Sequence, residues 1–168
     1  MNTGDRNRFL TELDTRAIGD RLWALKSPQS YVDRNGRLWV VPKGFVCDKR
    51  SGFWLTWMYA PPSIGQADRA WIQHDFERQC WALLGLRPDV IDSERFYHQI
   101  RAVGKSQRRA RWHCRAVTLQ RIVRGAGDGD GVHRDDDRNA PVYDETLRQW
   151  IPLLVWVRRH YRSDGHGI

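Results

Sequence analysis

No apolar run in this 168-residue chain exceeds seven residues, and that run (Ile151 to Val157) contains Pro152. A membrane-spanning helix needs about 20 apolar residues, so no such span is expected. Cysteine is scarce: Cys47, Cys80 and Cys114 lie far apart, with no CxxC spacing. That pattern supports neither a disulfide framework nor a zinc ribbon, and it reads as three free thiols packed as small hydrophobes. Lysine is scarce too. Of 28 basic residues, only Lys26, Lys43, Lys49 and Lys105 are not arginine. The first residues are polar and charged rather than signal-like, which predicts synthesis in the cytosol.

What is present is enough for a real core. Hydrophobic residues make up 40% of the chain and nine are Trp, a composition that excludes wholesale disorder. The net charge is +8 at neutral pH. Arginine donates bidentately to phosphate and carboxylate, although a GC-rich genome would enrich it with no function attached. The charge therefore sets a prior for polyanions, phospholipid head groups or acidic proteins.

The apolar pattern gives an α+β fold: a small antiparallel β-meander followed by three or four packed helices. Arg21 to Leu25 alternates as a strand. Tyr31-Val32 and Arg37 to Val41 flank Arg34-Asn35-Gly36, and Asn-Gly between apolar runs is a strong hairpin signal. Phe45 to Cys47 makes a last short strand. Residues 51–65 are aromatic and irregular, and Trp54, Trp57 and Tyr59 read either as a lid over the sheet or as an exposed patch.

Helices are expected over about 67–84, 89–103 and 106–124. The first carries Ala67, Ala70, Trp71, His74 and Trp81 on one stripe. The third places Trp112, Ala116, Leu119 and Val123 on its apolar face and Arg108, Arg111 and Arg115 on another. Between Arg101 and Arg124 there are eight Arg or Lys and no acidic residue. Residues 125–142 are Gly- and Asp-rich, a flexible loop that fails as a calcium-binding EF-hand for want of ligands. A final helix is expected over about Asp144 to Arg162. The organisation is thus a domain over 1–124, a loop over 125–142 and a C-terminal helix over 143–168.

Chemistry gathers at His74-Asp75. An imidazole beside a carboxylate can transfer protons or bind metal. It can equally be a buried histidine satisfied by a backbone carbonyl or by Asp48. A triad is also open, with Ser51 as nucleophile, His74 as base and Asp48 orienting it. His98, His113 and His133 have no mutual metal spacing.

Leu13-Asp14, Val41-Pro42, Gly44-Phe45-Val46, Asp48, Ser51, Pro61-Pro62 and His74-Asp75 occur in an order that resembles an uncharacterised family. Its members are small proteins encoded by tailed phages, prophages and some bacteria. The resemblance covers about residues 9–103. It implies a phage or prophage setting, with the protein in the host cytoplasm during infection or carried in the virion.

The family's histidine helix is also similar to the catalytic helix pair of phospholipases A2. That likeness implies His74 as general base, Asp75 as calcium ligand and Asp92 as the orienting carboxylate; Asp48 is a further candidate calcium ligand, and calcium is the candidate cofactor. The chain departs from the pattern in several places: Arg78 stands where Tyr is expected, Asp92 is one residue out of register, and Gly52-Phe53 replaces an apolar-Pro pair. No Gly-rich calcium loop precedes the histidine.

Two functions are therefore expected. The first is a virion-associated or host-interaction module whose partner is a phage or host protein, or an anionic lipid or nucleic acid bound through Arg108, Arg111 and Arg115, with Trp54 and Trp57 as further contacts. The alternative is a hydrolase acting on the host envelope with His74 as base.

Overall fold

The computed structural model describes residues 7–19, 22–47, 67–85, 90–124 and 138–161, and at 90–93 and 119–124 the backbone alone. The β elements of the first part are β1 (Arg8–Phe9), β2 (Thr15–Gly19), β3 (Leu22–Leu25), β4 (Gln29–Val32), β5 (Leu38–Val41) and β6 (Val46–Cys47). They form two three-stranded antiparallel sheets, in the orders β1-β4-β5 and β2-β3-β6. The α+β class is as the sequence predicts, with short strands in a meander-like arrangement.

The β4–β5 hairpin follows from its turn. The carboxylate of Asp33 accepts the backbone N–H groups of Asn35 (2.8 Å) and Arg37 (3.0 Å), an Asx turn that pins the reversal. Gly36 then takes φ +81°, which costs a residue without Cβ little. Beyond it the strand alternates, with Trp39 and Val41 buried while Leu38 faces out. That is the period-two pattern of a half-buried strand.

Among the described residues three helices follow: α1 (Ala67–Leu83), α2 (Val90–Ala102) and α3 (Gln107–Arg124). Helix α1 is the centre of the molecule. Ile72, Phe76 and Cys80 pack with Tyr31, Trp39 and Phe45 from the strands. Ala70 packs instead with Phe96 and Ile100 of α2 and with Ala110 and Val117 of α3. A helix covered on two sides has little solvent face, so its buried set includes Gln73, His74, Glu77 and Gln79.

The C-terminal part corrects the expected single helix over 144–162. It is a hairpin, β7 (Pro141–Asp144) and β8 (Gln149–Pro152), followed by a shorter helix, α4 (Leu153–His160). The reason is Pro152, which lacks an N–H and clashes with the preceding turn of a helix interior. It sits at the N-cap of α4, where neither defect matters.

Nor is this segment an appendage. Val142, Ile151, Leu153, Trp156, Val157 and Tyr161 belong to the same buried cluster as Trp39 and Phe76. Tyr161 donates its hydroxyl to the Val40 carbonyl at 3.1 Å, and the Tyr143 N–H reaches the Lys43 carbonyl at 2.9 Å. Gly44, at φ +88°, lies so close to the hairpin that a Cβ there would stand 3.0 Å from the Pro141 carbonyl.

Candidate functional site

His74 lies in the middle of α1 and is only 3% exposed. Its ring packs on Phe96 (centroids 4.5 Å apart) and on Trp71 (6.1 Å). Trp71 in turn meets His113 of α3 at 5.7 Å. Four rings, the His74 imidazole among them, thus join three helices. Asp75 is partly exposed, and its carboxylate stands 3.5 Å from His74 Nδ1. That is long for a charge-assisted hydrogen bond. Neighbours in sequence on a helix point about 100° apart, so Asp75 turns away from the cluster that holds His74.

The remaining predicted residues of this site are not assembled by what is described. Asp48 and Ser51 lie outside the described residues, as do Trp54 and Trp57. Asp92 falls within α2, but its side chain is not among those described. A calcium ion takes six to eight oxygen ligands, and no group of three or more His, Cys, Asp or Glu among the described residues could hold a metal. The calcium expectation therefore finds no donor set there.

The arginine face is well defined. Arg108, Arg109, Arg111 and Arg115 are all exposed along α3, while Ala110, His113 and Val117 turn inward. None of the four pairs with a carboxylate among the described residues.

The buried stripe differs from the expected one, which ran through Trp112 and Ala116. Trp112 is 39% exposed, and the Arg115 guanidinium lies 5.9 Å from its ring centroid. The helix is turned by one residue, about 100°. This happens because Ala110 and Val117 are small enough to approach α2 closely, whereas an indole there would hold the helices apart.

Two constellations escaped the sequence reading. In the first, Glu77 is 1% exposed and accepts from Gln73 (3.1 Å), Gln99 (2.7 Å) and Arg95 (2.9 Å). The Arg95 guanidinium is stacked 4.0 Å over Trp39, whose indole N–H donates to Asp33. Burial, and after it the negative charge of Glu77, pushes the Tyr31 hydroxyl and the Cys80 thiol well above their ordinary values. The usable signal was Gln73 and Glu77 four residues apart, one helical turn, beside the apolar positions Ala70, Ile72, Phe76 and Cys80.

In the second, the fully buried Asp144 accepts from the Thr146 and Leu147 N–H groups and bonds His160 Nε2 at 2.9 Å. Burial alone would raise its pKa, but these hydrogen bonds outweigh it and hold the carboxyl below its usual value. Asp144 caps the hairpin turn and ties it to the end of α4. No spacing rule links residues 144 and 160.

A family model described as "Protein of unknown function (DUF1353)" matches residues 23–117, more than half of the chain. The chain belongs to that family. The DUF1353 match takes in the β3-to-β6 strands, all of α1 and α2 and the first part of α3, so it includes His74, the Glu77 network and the arginine face. It leaves out Asp144 and His160. No curated protein and no solved structure matches the chain.

Proposed function

We propose that this chain is a phage- or prophage-encoded accessory protein. It acts as a virion-associated or host-interaction module that engages a polyanionic partner through the arginine face of α3. The observation that carries this reading is the exposure of Arg108, Arg109, Arg111 and Arg115 without carboxylate partners among the described residues, in a chain of net charge +8. Guanidinium groups left in water are available to phosphate or sulfate.

The phage setting is supported by the order of Val41-Pro42, Gly44-Phe45-Val46, Asp48 and His74-Asp75 along the chain. Burial of His74 against Phe96 favours this reading over the hydrolase, because a general base must come within hydrogen-bonding reach of the proton it removes. In this reading His74 fills the junction of three helices.

The test is a salt gradient on immobilised heparin, run with an ester-hydrolysis assay with and without calcium. The full chain should be retained, and a triple Arg108→Gln, Arg111→Gln, Arg115→Gln variant should elute at clearly lower salt. His74→Gln should leave retention unchanged. Equal elution of the triple variant, or calcium-dependent hydrolysis that disappears in His74→Gln, would overturn the proposal.

A further inference from the structure

We infer that Trp112 and the arginines around it form a stacking platform for single-stranded nucleic acid, an inference that rests on the polyanion reading of α3. Among the described side chains of α3, Trp112 is the one large apolar side chain that is exposed, at 39%. On a helix its surface neighbours lie three and four residues away. Here these are Arg108 and Arg109 on the preceding turn and Arg115 on the following one, all exposed. An indole with exposed arginines one turn before and one turn after it offers a base a flat apolar surface and offers the phosphates on either side their counter-charges.

Dimensions agree with this partner. From Arg108 to Arg115 the axis advances roughly 10 Å at 1.5 Å per residue. That spans about three phosphates at the duplex rise of roughly 3.4 Å per strand and fewer along the more extended backbone of an unpaired strand, so the arginines reach the phosphates on either side of one stacked base. No acidic residue between Arg101 and Arg124 interrupts the track.

Other polyanions suit the surface less well. In a duplex the base faces are already stacked, which leaves the indole nothing to cover. A membrane surface calls for an apolar helix face in the interface, and among the described side chains of α3 Ala110, His113 and Val117 turn into the fold while Trp112 is the one large apolar side chain left outside. An acidic peptide would use the charges and gain little from the ring. The arrangement therefore favours an unpaired strand, with sequence tolerance because every base has a π face.

The experiment measures fluorescence anisotropy of a labelled oligo(dT) 12-mer, a duplex of equal length and a heparin fragment, and sedimentation with phosphatidylglycerol vesicles. The full chain is compared with Trp112→Ala, Trp112→Phe and the triple arginine variant. Circular dichroism melts verify that each variant folds.

Trp112→Ala should weaken oligo(dT) binding by about 5- to 150-fold, the range expected for one stacked base. It should leave heparin binding and the salt slope unchanged, and Trp112→Phe should restore most of the loss. The triple arginine variant should weaken every polyanion and flatten the salt slope. The platform is overturned if Trp112→Ala binds oligo(dT) as the parent does, or if duplex or vesicles are preferred to the single strand. If heparin is still lost in the triple variant, the polyanion reading survives that result. If the arginines are also without effect, both fail.

Discussion

Glu77 illustrates how a single side chain can matter more to this fold than its place in the sequence suggests. It is buried with Arg95, and both of its oxygens accept hydrogen bonds. Replacing a buried ion pair by apolar residues can be neutral, but removing one partner strands the other charge. Glu77→Ala leaves the Arg95 guanidinium and two glutamine amides facing a cavity. A loss of about 3–5 kcal/mol is expected from urea unfolding, whereas Glu77→Ala combined with Arg95→Met should cost less than the first change alone. A double variant as unstable as the sum of the singles would show that the pair is not coupled. At this scale the sequence was partly legible. The sequence drew attention to His74, which the structure buries in the core helix, but its neighbour Asp75 drew attention that the geometry gives to Glu77. Adjacent residues stand out in a sequence, while residues one helical turn apart meet in space.

Among the elements, the hairpin at Asn35-Gly36 and the three helices of the family region were readable because each carries its own local signal. Turn chemistry set the first, and apolar periodicity with glycine stops set the others. The rotation of α3 was not readable. A stripe through Trp112 and Ala116 and one through Ala110, His113 and Val117 differ by about 100°, and only packing against α2 chooses between them. The chosen face buries His113, whose imidazole is pushed below its ordinary value by burial and then by the charges of Lys105 and Arg109. His98 is shifted the same way, by burial and then Arg34, with Glu94 opposing. A histidine whose pKa is lowered on folding binds its proton more readily in the unfolded chain. Its neutral form thus favours the fold above the unfolded value of about 6.5, and that stability is lost as pH falls through this range towards the folded pKa. The urea midpoint should therefore drop between about pH 7 and pH 5, and His113→Gln should flatten the dependence. A midpoint that holds steady or rises on acidification would contradict this account of the α2–α3 contact.

At the scale of the whole molecule, the family match ends at residue 117, yet the core does not. Six of the fifteen buried members of the main cluster come from Val142 onwards. Trp156 and Tyr161 lie within 6 Å of Phe76, and Tyr161 closes the face of Trp39 as well. The sequence suggested a linker followed by a separate helix, because Gly- and Asp-rich composition describes the connection and says nothing about where the chain returns. Long-range return is a property of the packed whole, and no local window contains it. Burying a large apolar side chain is worth about 1.5–3 kcal/mol, so losing six would remove on the order of 10 kcal/mol. A domain of this size commonly has only about 5–15 kcal/mol of stability in all. A chain ending at residue 137 should therefore show no cooperative thermal transition by circular dichroism and should lose its near-ultraviolet signal. It should also expose Trp39 and Phe76 to a hydrophobic dye. If the shortened chain melts cooperatively near the temperature of the full one, the family region carries a self-sufficient core, and the β7–β8–α4 unit is an addition to it rather than a part of it.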